Sequence, residues 1–305
     1  MFRVKEKFTI LIPTKNRLEE LKHTLFKLES ILVREDTICI ICDDGSTEGT
    51  FDYVTKHFPK IEIFRNEESK GIHYVRNRLL NKVKTPFAIS IDDDAHFITL
   101  GIFEIIENYF SENEKAGILS FRAYWNKNEP SLTIINEKST IVKGFGAVGF
   151  AIRMSAWDSI PNFPEWFIFY GEEDFAAFQL FKKGWEVHYV PEILVHHRVD
   201  LKARKNEKDY RLRLRRSLRS GWYLYFMFYP LKVIPRRLAY TLWIQIKNKI
   251  FKGDRKAALA IVQAMCDVML NLPRLLNNAN RLTTKEFKAY SKLPDTKLYW
   301  IPEED

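Results

Sequence analysis

The sequence TICIICDDGST, Thr37–Thr47, decides the fold class. Its first six residues are apolar or β-branched, as in a buried strand, and a polar turn follows at once. Two units of the same kind flank it in the chain: FTILIP, Phe8–Pro13, runs into Thr14–Arg17, and FAISI, Phe87–Ile91, runs into Asp92–Asp94. Three buried strands that each end in polar residues predict one sheet with its chemistry along one edge.

Helical patterns lie between these strands. Leu18–Leu32 carries leucines at three- and four-residue spacing, which places them on one helical face. The same criteria predict two more helices and two more strands: helices Gly71–Val83 and Ile98–Phe110, and strands Lys60–Phe64 and Gly117–Phe121. Strands that alternate with helices predict an α/β fold, Rossmann-like, with a mostly parallel sheet and helices on both faces. Ligands of such sheets bind at the carboxyl ends of the strands.

The composition agrees with a folded enzyme-sized chain. It has 305 residues, of which 46% are hydrophobic and 29% charged, and this excludes a disordered protein. Of the three cysteines, Cys39 and Cys42 lie in one apolar run and no second ligand pair with His follows them, so we expect buried free thiols rather than a zinc site, and a reducing, cytoplasmic location. The uncharged stretch Gly221–Leu231 is too short to cross a bilayer, and no targeting segment is evident at the N-terminus.

The run Asp92–Asp94 favours a metal site. Three adjacent carboxylates at a strand end repel one another, and a divalent cation such as Mn²⁺ or Mg²⁺ removes that repulsion. An exposed acidic turn is the alternative, just as Asp43–Ser46 alone is also a good turn and helix cap. Such a metal usually takes further ligands from phosphates, which indicates a nucleotide. No glycine-rich phosphate loop follows a strand, so P-loop and dinucleotide-binding enzymes are excluded.

A second cluster of polar residues lies between residues 143 and 198. The glycine-rich KGFGAVGFAIR, Lys143–Arg153, enters a further strand, and an aromatic run, Trp166–Tyr170, precedes the acidic Glu172–Asp174. Acids at a helix start are often caps, but beside aromatic residues they also suit a general base next to a sugar ring. Val187–Val195 is predicted as two short strands broken at Pro191, ending in two adjacent histidines that are metal-ligand candidates.

In this order, these motifs resemble those of family 2 glycosyltransferases, inverting enzymes with the GT-A fold, over about residues 8 to 200. The matching segments are FTILIPTKNR, ICDDGSTEGT, KGIHYVRNRLL with Val75 in place of the usual Ala, ISIDDD, GFGAVGFAIRMSAW and GEEDFAAFQLFKKGW. The resemblance implies transfer of a sugar from a UDP- or dTDP-type donor to an acceptor hydroxyl with a divalent metal. It also implies a GT-A catalytic domain over residues 1–203.

The resemblance assigns roles residue by residue. Asp174 is the expected general base, with Glu173 beside it, although the Phe175-Ala176-Ala177 that follows departs from the family pattern and leaves the base open between these two acids. Asp94 is the expected metal ligand, completed by His196 or His197, which the sequence does not separate. The residues expected to bind the nucleotide sugar are Pro13, Thr14, Asn16, Arg17, Asp44, Arg76, Asp92 and Asp93.

Residues 204–305 are predicted to form a basic, aromatic helical region. Between Asp200 and Lys256 there are 17 Lys and Arg against 4 Asp and Glu, whereas the net charge of the whole chain is +9. This pattern is typical of a region that binds an anionic membrane surface. The alternative is that the region packs on the catalytic domain or forms a homo-oligomer contact. Binding of nucleic acid is not expected. The expected setting is the cytoplasmic membrane face, with a glycan or lipid-linked acceptor of cell-surface polysaccharide assembly.

Two other functions remain as alternatives at this point. A sugar nucleotidyltransferase shares a related sheet, but it needs a glycine-rich nucleotide loop that PTKNR lacks. A non-enzymatic protein that binds membrane or nucleic acid through residues 200–256 leaves the acidic strand ends unexplained.

Overall fold

The computed structural model describes residues 6–199 and 209–302. One sheet runs through the first of these ranges, with strand order β3-β2-β1-β4-β8-β6-β9-β5 and with β7 paired to β9. Its strands are β1 Phe8–Thr14, β2 Thr37–Asp43, β3 Glu62–Arg65, β4 Phe87–Ile91, β5 Ala95–Phe97, β6 Ala116–Trp125, β7 Thr140–Val142, β8 Gly149–Arg153 and β9 Glu186–His197.

The sheet is parallel where the strands alternate with helices and mixed beyond that point. Strands β3, β2, β1 and β4 are parallel neighbours, as the sequence predicts. Strand β8 then enters antiparallel to both β4 and β6, and the short strands β5 and β7 pair antiparallel with β9. The expectation of a mostly parallel sheet therefore holds for the first half of the sheet. The sequence did not predict β5 and β7, because a strand of only three residues is too short to show an alternating hydrophobic pattern.

Helices cover both faces of this sheet. Ile10 and Ile12 of β1 point into one core with α1 and α5, and Leu11 points into a second core with α4 and α7. This alternation follows from the two-residue period of a strand. The helices of this part are α1 Leu18–Lys27, α2 Glu29–Leu32, α3 Thr50–His57, α4 Ile72–Leu80, α5 Ile102–Glu112, α6 Met154–Trp157 and α7 Glu172–Lys182.

Two element predictions need correction. The single helix predicted over Leu18–Leu32 is broken at Leu28, whose backbone leaves the helical conformation, although Leu21, Leu25 and Leu28 are all fully buried as their spacing requires. Pro191 does not break β9. The register with β6 jumps there, so Pro191 and its next two residues have no β6 partner, and a bulge tolerates a residue that cannot donate an N–H.

The C-terminal helices pack on the catalytic part through aromatic residues. Trp222, Tyr223 and Phe228 are buried with Phe175 and Phe178 of α7 in one cluster. The packing alternative therefore accounts for the aromatic run of this region. The helices are α8 Tyr210–Phe228, α9 Ile234–Asn248, α10 Arg255–Asn277 and α11 Thr284–Ser291.

Helix α10 is long and apolar enough to cross a membrane by length and composition, a feature that the sequence analysis did not predict. A third of its apolar window is buried inside the protein. It packs against α8, where Arg215 forms an ion pair with Asp267 at 2.6 Å. The boundary placed after residue 203, and the lysines next to it, lie outside the described residues.

Candidate active site

Strand pairing brings the acidic run at the end of β4 to the end of β9. Ala95 of β5 is the register partner of His197, so Asp94, just before Ala95, lies beside the histidine ring. His197 Nε2 is 3.0 Å from Asp94 Oδ1. Asp92, Asp94 and His197 each offer one ligand atom, and these three atoms lie within 4.8 Å of one another.

The donor set of this cluster suits a divalent cation. Two carboxylates and one imidazole are ligands that Mn²⁺ accepts. Asp94 Oδ1 is buried, and its close neighbour His197 Nε2 does not meet hydrogen-bond geometry, so this oxygen retains the capacity to bind a cation. The residues therefore fit a metal ion, and Asp94 and His197, as the more buried members, would hold it.

His196 points away from this cluster. Consecutive residues of a strand face opposite sides of the sheet, so His196 lies with His96 and Glu129 on the other face. Its Nε2 donates to the backbone oxygen of Asn126 at 2.8 Å. Of the two histidines that the sequence left as alternatives, only His197 shares a cluster with Asp94.

Two neighbouring side chains stabilise the ionised form of Asp94. Burial alone would raise its pKa, but the contacts with His197 and with the Arg17 guanidinium outweigh burial and hold the pKa well below its usual range. Burial raises the pKa of Asp93 to about 7 against the opposing charge of Arg17, and Thr14 Oγ1 donates to Asp93 Oδ2 at 2.8 Å. The expected donor-binding residues Thr14, Arg17 and Asp93 thus surround the metal candidate Asp94.

The loops after β1 and β2 are joined to each other. The backbone N–H of Asn16 donates to Ser46 Oγ at 2.8 Å, and the backbone N–H of Thr47 donates to Asn16 Oδ1 at 2.9 Å. Asn16 adopts a left-handed φ of 50°, which asparagine tolerates better than most residues. Pro13 is buried at the end of β1. These contacts shape one continuous edge from the β1 loop to the β2 loop.

Asp44 holds the loop before α4. Its carboxylate accepts four hydrogen bonds, from Asn66 Nδ2, Ser69 Oγ and the amides of Lys70 and Gly71, at 2.6 to 3.0 Å. These bonds lower the pKa of Asp44 although burial opposes them. The structure thereby gives Asp44 a loop-organising role that the sequence analysis did not assign, beside its expected contact with the nucleotide.

Arg76 joins the metal candidates to the acidic helix α7. One terminal nitrogen donates to Glu172 Oε1 at 2.7 Å and the other to Asp92 Oδ1 at 3.0 Å. His73 Nε2 lies 2.9 Å from the second oxygen of Glu172. The side chains of Arg76, His73 and Glu172 are all at least nine-tenths buried. The guanidinium is therefore a fixed link between the two acidic groups rather than a free surface cation.

The two candidates for the base differ in their surroundings. Burial and the neighbouring charge of Glu172 raise the pKa of Glu173 well above its usual range, and Arg76 opposes this shift. Surrounding protein atoms and the charge of Glu172 raise the pKa of Asp174 to about 6, although the residue as a whole is exposed to solvent. Glu173 thus belongs to the Arg76 network, whereas Asp174 is exposed to solvent.

The sequence analysis missed a C-terminal segment, Pro294–Ile301, which lies against the glycine-rich residues before β8. A Cβ at Gly144 would lie 2.9 Å from Thr296 Oγ1 and 3.4 Å from Asp174 Oδ1, so only glycine allows this approach. Further along the segment, the Tyr299 ring packs on Trp125, whose ring in turn packs edge-on against His197 at 4.1 Å. No local pattern could have revealed the position of this segment, because its contacts with Trp125 and Gly144 each join residues more than 100 positions apart.

Comparisons with solved structures identify the fold. The chain is similar to the mannosyltransferase PcManGT from Pyrobaculum calidifontis, solved with GDP-Man and Mn²⁺, at 14% identity and a TM-score of 0.56 over 94% of this chain and 84% of that one. It is similar to S. aureus TarS 1-349, solved with UDP, at 15% identity and a TM-score of 0.55 over 90% and 83%. It also resembles GalNAc-T7, solved with UDP, GalNAc and Mn²⁺, at 12% identity. The TM-score is 0.60, and the match covers 88% of this chain and 58% of that one. Among curated proteins none matches this sequence.

Together, the mixed sheet and these neighbours define an α/β protein with the GT-A fold of glycosyltransferases. Residues 9–156 match the model of the family "Glycosyl transferase family 2". The chain is therefore a glycosyltransferase, and this segment is its family 2 domain.

Proposed function

We propose that the protein is an inverting, metal-dependent transferase that moves a sugar from a nucleoside-diphosphate donor of the UDP or dTDP type to an acceptor hydroxyl. The observation that carries this proposal is the cluster of Asp92, Asp94 and His197 at the strand ends, linked through Arg76 to the acids of α7. Solved neighbours bound to nucleotide sugars or nucleotides, two of them with Mn²⁺, support a nucleotide-sugar donor.

Different residues of the chain would bind the metal, the diphosphate and the nucleoside of the donor. Asp94 and His197 would hold Mn²⁺ or Mg²⁺, which neutralises charge on the leaving diphosphate when bound. Arg17, whose guanidinium is partly exposed beside Asp93 and Asp94, adds positive charge at the same edge. Pro13, Thr14 and Asn16 line the edge where the base and ribose are expected.

A carboxylate of α7 accepts the proton of the attacking hydroxyl, and one displacement inverts the anomeric carbon. Asp174 is our first candidate because its accessible carboxylate and raised pKa suit proton uptake near neutral pH. Glu173 is the second candidate because it lies in the Arg76 network that contacts Asp92.

The C-terminal region is proposed to bring the enzyme to an anionic membrane surface on the cytoplasmic side, where a lipid-linked or glycan acceptor of polysaccharide assembly is found. Arg236, Tyr240, Trp243 and Lys247 are all exposed and follow one another at helical spacing along α9. We call these four residues the α9 stripe. Basic residues at both ends of a pair of interfacial aromatic residues complement anionic head groups.

The donor proposal is tested by thermal melting with UDP, dTDP and GDP, each with and without Mn²⁺. A nucleotide at 100 times its Kd adds about 2.7 kcal/mol to the free energy of unfolding. We expect a rise in Tm that needs both nucleotide and metal. Release of free sugar or transfer of sugar from the matching donor then measures turnover. The absence of any shift with all three nucleotides would refute the donor proposal.

A further inference from the structure

A buried arginine, Arg122 on β6, lacks partners for most of its charge. Arg122 as a residue is only 3% exposed to solvent. One terminal nitrogen of its guanidinium donates to the Thr133 carbonyl at 2.9 Å. Its Nε and its other terminal nitrogen have no hydrogen-bond partner, and among the described residues no carboxylate lies within 4.0 Å of the guanidinium. Buried charges are usually paired, so this guanidinium stands out as a site for an anion.

Arg153 on β8 provides an internal comparison. The Arg153 guanidinium lies over the Phe110 ring, 4.7 Å from its centroid. Unlike Arg122, it donates to three backbone carbonyls, those of Ala116, Phe110 and Asn113, at 2.7 to 3.3 Å. Backbone carbonyls thus accept from two nitrogens of Arg153, whereas Nε and one terminal nitrogen of Arg122 have no acceptor among the described residues.

The cover over Arg122 is the C-terminal segment Pro294–Ile301. The Trp300 ring lies 4.3 Å from the Arg122 guanidinium, and the Trp300 amide donates to the Ala123 carbonyl at 2.8 Å. The carboxylate of Glu137, which acts on Arg122 at longer range, is engaged by Lys297 at 2.5 Å. A cation–π contact offsets only part of the desolvation of a guanidinium.

The same segment connects Arg122 to the surroundings of Asp174. Leu298 lies against Gly146, and Thr296 lies against Gly144 beside Asp174. Gly146 in turn donates its amide to Ser120, two residues before Arg122 on the same strand. One segment therefore covers Arg122 and also contacts the glycine-rich residues beside Asp174, so its displacement would uncover both.

We propose that Arg122 binds an oxyanion, the phosphate or carboxylate of the acceptor, when Trp300 is displaced. The assignment of this anion to the acceptor rests on the proposed function, because it relies on Asp174 marking the acceptor side. A guanidinium is suited to this role because it presents donors to phosphate and carboxylate oxygens in a planar arrangement.

The experiment compares Arg122→Met with the control Arg153→Met in the full chain. Melting curves are measured in sodium phosphate, sodium glucuronate and sodium chloride at equal ionic strength. We expect Arg122→Met to raise Tm in chloride by about 2–4 °C, since an unpaired buried charge is removed, and Arg153→Met to lower it. Phosphate or glucuronate should raise the Tm of the wild type and of Arg153→Met, but not that of Arg122→Met.

The oxyanion that gives the shift distinguishes a phosphate-bearing from a carboxylate-bearing acceptor. Trp300→Ala should retain or strengthen the shift, and it provides the test if Arg122→Met does not fold. Equal shifts in wild type and Arg122→Met, or no shift in wild type and Trp300→Ala, would overturn the proposal. Nucleotide and Mn²⁺ binding, measured in the same variants, reports separately on the proposed donor site.

Discussion

His197 Nε2 lies 3.0 Å from Asp94 Oδ1, and the pairing of β5 with β9 creates this contact. It brings an imidazole and a carboxylate that are far apart in the chain into one set of metal ligands. The neighbouring His196 lies on the opposite face of β9, so the chain itself supplies a matched control for the metal site.

Asp94→Asn and His197→Ala are each expected to abolish the Mn²⁺-dependent part of the nucleotide-induced Tm shift. Each variant removes one ligand and weakens the coordination of the ion. Titration of Mn²⁺ at fixed UDP, followed by thermal melting, measures this. His196→Ala should keep the shift; its loss in that variant alone would disprove the assignment of His197.

The pH dependence of turnover tests the base. The pKa of Asp174 is raised to about 6, and a base must be deprotonated to accept a proton. Turnover should therefore be constant above about pH 7 and fall about tenfold per pH unit below pH 6. Initial rates at saturating donor and metal provide the profile. Asp174→Asn should reduce turnover by a factor of 100 or more while nucleotide binding persists.

Glu173→Gln is the companion variant. A larger loss of turnover in Glu173→Gln than in Asp174→Asn, with nucleotide binding intact in both, would transfer the role of base to Glu173. A profile that stays the same in Asp174→Asn would lead to the same conclusion.

Asp44→Asn tests the loop-organising contacts. The Asn amide cannot accept from all four donors, so we expect a loss of about 1–3 kcal/mol in the free energy of unfolding at pH 7. The pKa of Asp44 is lowered in the folded state, so its stabilisation is present above the unfolded value of about 3.9 and disappears as pH falls through the folded value.

Urea unfolding at several pH values and hydrogen exchange at the Lys70 and Gly71 amides measure this effect. The difference between wild type and variant should shrink as the pH is lowered below about 4. An equal difference at pH 7 and at pH 3 would argue against the ionised carboxylate as its source.

Membrane attachment is tested by co-sedimentation with vesicles of phosphatidylcholine alone or with phosphatidylglycerol. We expect binding to the anionic vesicles that weakens with salt, and weaker binding in Trp243→Ala and in Arg236→Gln. Phe26→Ala on α1 is the control, because Phe26 is 72% exposed and is not part of the α9 stripe. Equal binding to both vesicle types would refute the charge-based proposal.

Local patterns account for much of the fold and for part of the site. The apolar runs at Phe8, Thr37 and Phe87 all begin observed strands, because burial on both faces demands continuous apolar sequence. The polar residues at their ends, which are acidic after the second and third of these strands, follow directly because the chain must turn there. The strand break predicted at Pro191 is wrong, because β9 continues through a bulge that its pairing with β6 decides.

The sequence by itself determined which polar residues reach the carboxyl edge of the sheet, because strand period and strand ends are local properties. Only the tertiary structure decided that His197 rather than His196 meets Asp94, since this depends on the register between β5 and β9. It also decided that Trp300 covers Arg122. Such contacts join segments with no shared local pattern, and their geometry arises only when the sheet and the C-terminal segment pack together.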